Sequence, residues 1–323
     1  MKNSALLTAG VSCLVCLGCT GPAAGPVEKT CPIKLGTFEG QRGNAVTDLQ
    51  IYSPWDPGQY AHLAFPEHCW GRGLPNTSHN SGKLVGSPWR ISDDSSAAVF
   101  ERQPRDSVLF RARAAADSMA VRLSLEIVNS SGQPVNDIYA LVCFKPDATV
   151  GLPPREDALA GFRDTSYRMT WFPVDGEPVQ LHEGTHYRGD LPDRGWTDLR
   201  SNINWGVNVK GGPDNRTVSD IDWFRDKGPG RIVEEVADPA LIAIHDRSDT
   251  TRWVGIIWEP ARVLFCNPRH PCFHSDPALA DCPAGGRSGA EGMIFFHHGP
   301  LAGLVERATA WRNRVRSVQR DGQ

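Results

Sequence analysis

In the segment Val121-Arg122-Leu123-Ser124-Leu125-Glu126-Ile127 apolar and polar residues alternate strictly. Successive side chains of an extended strand point to opposite sides, so a period of two describes a strand with one face in a core and the other in water. Asn129–Pro134 is made of turn residues, and Val135–Phe144 follows as a more apolar run. The two runs together read as an antiparallel hairpin. A further strand is expected before them at Val108–Arg113, and others after them at Ala240–His245, Arg252–Trp258, Ala261–Cys266 and Met293–His297. The chain also holds 32 Gly and 25 Pro, a frequency of turn residues that suits a β-rich chain and not a helical bundle.

One helix stands out against this background. From Leu301 onward, Leu304, Val305, Ala308, Trp311 and Val315 recur at helical spacing, with Arg307, Arg312, Arg314 and Arg316 placed elsewhere on the surface. The expected fold is mostly β, a large antiparallel β-sandwich with a C-terminal amphipathic helix, formed as a single domain by residues 31–323.

The N-terminal region reads differently. Lys2 precedes the apolar run Ala5–Leu17, which is too short to cross a bilayer and has the form of an export signal over residues 1–18. Leu17-Gly18-Cys19 resembles a bacterial lipoprotein processing site, although Cys16 stands where such signals usually carry Leu. The expectation is an exported protein of the cell envelope, anchored in the membrane by lipid on Cys19, with residues 19–30 as a Gly- and Pro-bearing flexible tether. Removal of residues 1–18 takes away only Lys2, leaving 33 Lys+Arg against 37 Asp+Glu. A balance of −4 offers no electrostatic case for a nucleic-acid partner. Six cysteines remain beyond the signal, namely Cys31, Cys69, Cys143, Cys266, Cys272 and Cys282. In an oxidising compartment they permit three disulfides, and Cys272–Cys282, which bracket a short loop, form the first expected pair. Cys143 lies in an apolar strand and equally fits a buried free thiol.

Candidate site residues fall in two polar clusters. His182-Glu183-Gly184-Thr185-His186 matches the HExxH string of zinc proteases, but that chemistry needs a helix to bring both His to one face. Pro178, Gly184, Gly189 and Pro192 argue for a strand end and a polar loop instead. The loop carries His186, Arg188, Arg194, Trp196 and Trp205; Arg suits a substrate carboxylate and Trp the apolar face of a sugar. A solvated loop held by its own ion pairs is the plainer alternative. The second cluster, with Cys266, His270, Cys272, His274 and Asp276, follows an apolar strand that would hold it rigidly. His274 is the favoured acid–base residue, with Asp276 near enough to orient its ring. His270, His274 and Asp276 also suit zinc or calcium, yet their spacing is not helical, and neither a metal nor another cofactor is assigned. His62, His68, Trp70, Arg72 and His79 form a weaker set. Glu259, at a strand end before Pro260, is either a site carboxylate or a turn residue. Ten Trp against five Tyr suit a large sandwich core as well as a sugar-stacking surface.

The Val121–Ile127 and Val135–Phe144 strands and the strands up to residue 297 resemble the large β-sandwich of galactose mutarotase-like proteins. That resemblance implies a family of epimerases, polysaccharide lyase domains and glycosidase accessory domains, in which a concave sheet face holds sugar with His and acidic residues. Here the loose counterparts are His186, His274 and Glu259 as catalytic groups, with Arg188, Arg194, Trp196, Trp205, His270 and Asp276 as substrate contacts. The reading is an exported carbohydrate-active protein of the sugar epimerase or polysaccharide lyase kind. The alternatives are a non-catalytic carbohydrate-binding or surface-assembly lipoprotein and a metal-dependent hydrolase.

Overall fold

The structure, a computed structural model, describes residues 31–37, 48–74, 89–146, 159, 162, 170–181, 205–212, 231–267 and 272–321. Two sheets hold nearly all of them. The first has eight strands in the spatial order β1 (Leu35–Thr37), β2 (Leu49–Tyr52), β3 (Tyr60–Arg72), β8 (Asn136–Lys145), β16 (Cys272–Pro277), β15 (Ala261–Asn267), β11 (Trp205–Val209) and β12 (Arg231–Ala237). The second has nine, in the order β10 (Glu177–Gln180), β9 (Thr170–Val174), β13 (Leu241–His245), β14 (Arg252–Glu259), β17 (Arg287–His298), β7 (Ala120–Asn129), β6 (Val108–Ala116), β5 (Ala97–Arg105) and β4 (Trp89–Ile91). Neighbouring strands run antiparallel except β11 and β12. A single C-terminal helix, α1 (Leu301–Asp321), follows β17. The architecture is the expected β-sandwich with a terminal helix.

Alternation builds the shared core. Val121, Leu123, Leu125 and Ile127 of β7 face inward, as do Ile138, Ala140, Val142 and Phe144 of β8. Phe65 of the first sheet meets Trp258 of the second with ring centroids 5.6 Å apart. The buried Ser275 hydroxyl donates to the Ala240 carbonyl at 2.9 Å and accepts from the Trp258 amide at 3.2 Å, so a polar group of β16 ties the layers together. Trp89 and Trp258 pack on Phe65 in this interior, and Trp253 and Trp311 are buried as well.

The expected hairpin is not formed. β7 pairs with β6 and β17, whereas β8 pairs with β3 and β16 in the other sheet. The turn between them steps across the sandwich, a gap of about 10 Å that six residues span with ease. Asn129 holds that step by donating to the Gln133 carbonyl at 2.8 Å and the Pro283 carbonyl at 3.1 Å. β8 is apolar on both faces, as befits a strand in the middle of a covered sheet.

The expected Cys272–Cys282 disulfide is also overturned, because Cys282 is a free, buried thiol. Cys282 bridges Val135 at one end of β8, while Phe273 pairs with Phe144 at the other. Nine strand residues, about 30 Å, therefore separate the two positions. Cys31, Cys69, Cys143 and Cys266 are free as well.

The helix docks through the stripe its sequence displays, with Leu304, Val305, Ala308 and Trp311 buried. Its arginines do more than face water. Arg316 clasps the Glu259 carboxylate with two bonds, at 2.9 and 3.1 Å, Arg312 pairs with Asp238, and Arg307 donates to the Phe296 carbonyl. No helix among the described residues is long and apolar enough to cross a membrane. The export signal, Cys19 and the tether lie outside the described residues.

Candidate active site

The outward face of the eight-stranded sheet carries the chemistry. Since Ile138, Ala140, Val142 and Phe144 point into the core, Tyr139, Leu141, Cys143 and Lys145 point away from it. On β16 the inward positions are Phe273 and Ser275, so His274 and Asp276 project to the same outer side. The Phe273–Phe144 pairing sets His274 opposite Cys143. From the other neighbouring strand, Phe265 lies opposite His274 and packs its ring edge-on, with centroids 4.7 Å apart.

β3 adds a carboxylate by breaking its own register. Ala64 pairs with Cys143, but the next aligned pair is His68 with Leu141. Four steps along β3 match two along β8, and the irregular stretch between them contains Glu67. Strict alternation with Leu63 and Phe65 would send this side chain to the core; the bulge brings it to the outer side. There, Glu67 Oε2 lies 4.0 Å from His274 Nε2. A ligand atom from each of Glu67, Cys143 and His274 lies within 4.8 Å of the other two.

His274 is held from behind. Its Nδ1 stands 3.3 Å from Asp276 Oδ1, which also accepts the Val142 amide at 2.9 Å. Both side chains are buried, His274 at 1% exposure and Asp276 at 0%. With Nδ1 committed to Asp276, Nε2 is the nitrogen turned toward Glu67. Burial alone would lower the pKa of this imidazole, but Cys143 and Asp276 outweigh it and raise the value well above that of an ordinary His.

A second polar group lies on the same face. His62 Nδ1 is 3.7 Å from Asp48 Oδ2, Lys145 Nζ is 3.4 Å from that oxygen, and the Tyr60 ring stacks on His62. Further along β3, Trp70 stacks on Tyr139, over which the Arg262 guanidinium also lies at 4.2 Å. The polar and aromatic groups of β3, β8, β16 and β15 thus share the outer side of this sheet, where Tyr60, His62, Phe265 and His274 are buried and Trp70, Tyr139 and Lys145 are half-buried.

In architecture the protein is similar to galactose mutarotase-like proteins. A galactose mutarotase-like protein from Lactobacillus casei overlays with a TM-score of 0.40 at 12% identity, covering 82% of this chain and 97% of that one. A galactose mutarotase related enzyme from Lactobacillus acidophilus gives 0.39 at 10% identity, covering 83% and 95%. A polysaccharide lyase gives 0.33 at 10% identity, covering 84% of this chain and 33% of that one. No protein-family profile matches the chain, and no curated protein matches its sequence. The likeness is one of layers and strands and assigns no residue.

The structure brings His274 and Asp276 together and sets Glu259 apart. Glu259 ends β14 in the nine-stranded sheet, where both its oxygens bind Arg316 of the helix. His186, Arg188, Arg194, Trp196 and His270 lie outside the described residues, as does the whole HExxH string; Trp205 opens β11, with only its backbone described. Two groups at the centre are not among the sequence-derived site candidates, Glu67 and Cys143. Outward phase along β8 was a usable signal for Cys143, whereas nothing in the pattern around Glu67 announces the bulge.

Proposed function

We propose that the protein is an exported, lipid-anchored carbohydrate-active enzyme that moves protons on a sugar, in the manner of a sugar epimerase or polysaccharide lyase. His274 serves as proton donor and Glu67 as proton acceptor. The observation that carries this reading is the pairing of His274 Nε2 with the Glu67 carboxylate at 4.0 Å while Asp276 fixes Nδ1. Such an arrangement presents one acid and one base from rigid neighbouring strands, and a locked imidazole loses little freedom when it meets substrate. Half-buried Trp70 and Tyr139 suit the apolar face of a pyranose, and Lys145 suits its oxygens or a carboxylate, while buried Phe265 and Tyr60 hold the imidazoles of His274 and His62 in place. Trp70 already lies against Tyr139, so the surface is not a free Trp platform of the kind a simple sugar-binding module offers.

The test is turnover. Aldoses and uronate-containing polysaccharides are incubated with the protein in deuterated water. NMR then follows anomer equilibration and solvent exchange, and ultraviolet absorbance follows unsaturated uronides. One of these signals is expected, and His274→Gln should reduce it about 100-fold or more with the melting temperature nearly intact. No signal with any substrate, or full activity in the variant, refutes the assignment. The anchor is tested separately by mass spectrometry of the membrane fraction: lipid on an N-terminal Cys19 is expected, and a soluble protein processed well downstream of Cys19 would remove the anchor from the proposal.

A further inference from the structure

Two carboxylates and a thiol surround one imidazole at this centre, an excess of acidic groups in a buried place. Asp276 sharpens the imbalance: its Oδ2 is buried and has no hydrogen-bond partner among the described residues. Elsewhere in the molecule the buried carboxylate of Glu259 is met by Arg316, that of Asp48 by His62 and Lys145, and that of Asp246 by the amide and hydroxyl of Ser248. The three side chains nearest one another at this centre, Glu67, Cys143 and His274, are each competent metal ligands.

We propose that Glu67, Cys143 and His274 form a zinc(II) site, with Asp276 orienting His274 from behind. The ligand set is one sulfur, one nitrogen and one oxygen, a mixture that favours zinc over calcium or magnesium, which prefer oxygen alone. With bonds of about 2.3 Å to sulfur and about 2.0–2.1 Å to nitrogen and oxygen, tetrahedral ligand atoms stand roughly 3.3–3.6 Å apart. The ligand atoms here lie within 4.8 Å of one another, so small side-chain movements bring them to a common ion. The His274–Asp276 contact supplies the outer carboxylate that metal-binding histidines commonly carry, and it leaves Nε2 as the ligating nitrogen. Three protein ligands also leave a fourth position open.

The site uses the same Nε2 and carboxylate that the proton-transfer reading employs, but it stands on the ligand geometry and does not require that reading. If both hold, zinc and the exchanging protons compete, and the loaded protein is silent in proton exchange.

The experiment uses the full chain stripped with a chelator and dialysed. Zinc is titrated in competition with a chromophoric chelator, and cobalt(II) is added to a second sample. One equivalent of zinc is expected to bind. Cobalt should give the intense visible bands of a tetrahedral centre together with a near-ultraviolet thiolate-to-cobalt band. Cys143→Ser should abolish the near-ultraviolet band and weaken zinc by more than about tenfold, and Asp276→Asn should weaken it about tenfold. The cobalt spectrum of the unaltered protein needs no variant to fold. No zinc uptake, or cobalt uptake without the thiolate band, overturns the site, as does unchanged zinc affinity in folded Cys143→Ser. Sugar turnover by the metal-free protein is read separately, so a lost zinc site leaves the proton-transfer reading standing, and lost turnover leaves the zinc site standing.

Discussion

The two outer faces of the sandwich bury acidic groups in opposite ways. Against the nine-stranded sheet, α1 supplies a base for each acid: Glu259 is clasped by Arg316, and Asp238 by Arg312 together with Lys210. On the eight-stranded sheet Glu67, Cys143 and Asp276 gather around the His274 imidazole. Paired charges fasten one piece of a fold to another and have little left to offer a ligand. A cluster of carboxylate, thiol and imidazole sets donor atoms of three kinds within reach of one ligand. The comparison teaches that burial of a carboxylate is not itself a sign of function, and that the chemistry of its neighbours is the more telling observation.

The comparison breaks most visibly if the helix face proves to matter for chemistry. Trp311→Ala should destabilise the protein by about 3–5 kcal/mol, since it empties a buried aromatic site under the helix. Turnover per folded molecule should stay unchanged. A fall in turnover at full folding would show that the two faces are not independent.

A smaller effect is expected from acid. Burial would raise the Asp238 carboxyl, but Arg312 and Lys210 outweigh it and hold its pKa below the ordinary value. The folded value thus lies below the unfolded one. Stability from this ion pair is fully present above the ordinary carboxylate range and is lost as pH falls through the folded value. Asp238→Asn should cost about 1 kcal/mol at neutral pH and nothing in strong acid, as followed by denaturant melts across pH. An equal cost at every pH would assign the loss to packing. Smallest of all is the effect of a reducing agent. The described cysteines on either face and in the core are free, so dithiothreitol should leave the melting temperature unchanged. A drop would reveal a disulfide and restore the expectation drawn from cysteine spacing.

Strands and helix were legible because their periods are local. The alternation of β7 and the stripe of α1 depend on residues within a few positions of one another, and both elements stand where the pattern places them. The partner of a strand is a different matter. Alternation tells which side chains are inward but not in which layer the strand lies, and so β7 and β8 read as a hairpin although they belong to different sheets. The same division runs through the site. His274 and Asp276 are two residues apart, which on any strand puts them on one side, and their contact follows from spacing alone. Cys143 and Glu67 arrive from strands distant in the chain, and only sheet order makes them neighbours. The arginines of α1 were legible as a helix surface but not as clamps, because their acids sit at the ends of β12 and β14.

The irregular stretch of β3 has an arithmetic that bears on how such a chain can change. Between Ala64 and His68 it carries two residues more than the facing segment of β8. His62 and Ala64 before it, and His68 and Trp70 after it, share one side, because each lies opposite an outward residue of β8. A single-codon deletion in this stretch would leave a surplus of one, an ordinary β-bulge, so that His68 keeps its place opposite Leu141 and Trp70 its place opposite Tyr139. Loss of two codons would restore an unbroken ladder and preserve the phase, while taking Glu67 from the cluster. The facing strand, and not the number of residues, sets the phase here, so loss of one residue or of two at this point spares the ladder and alters the chemistry alone.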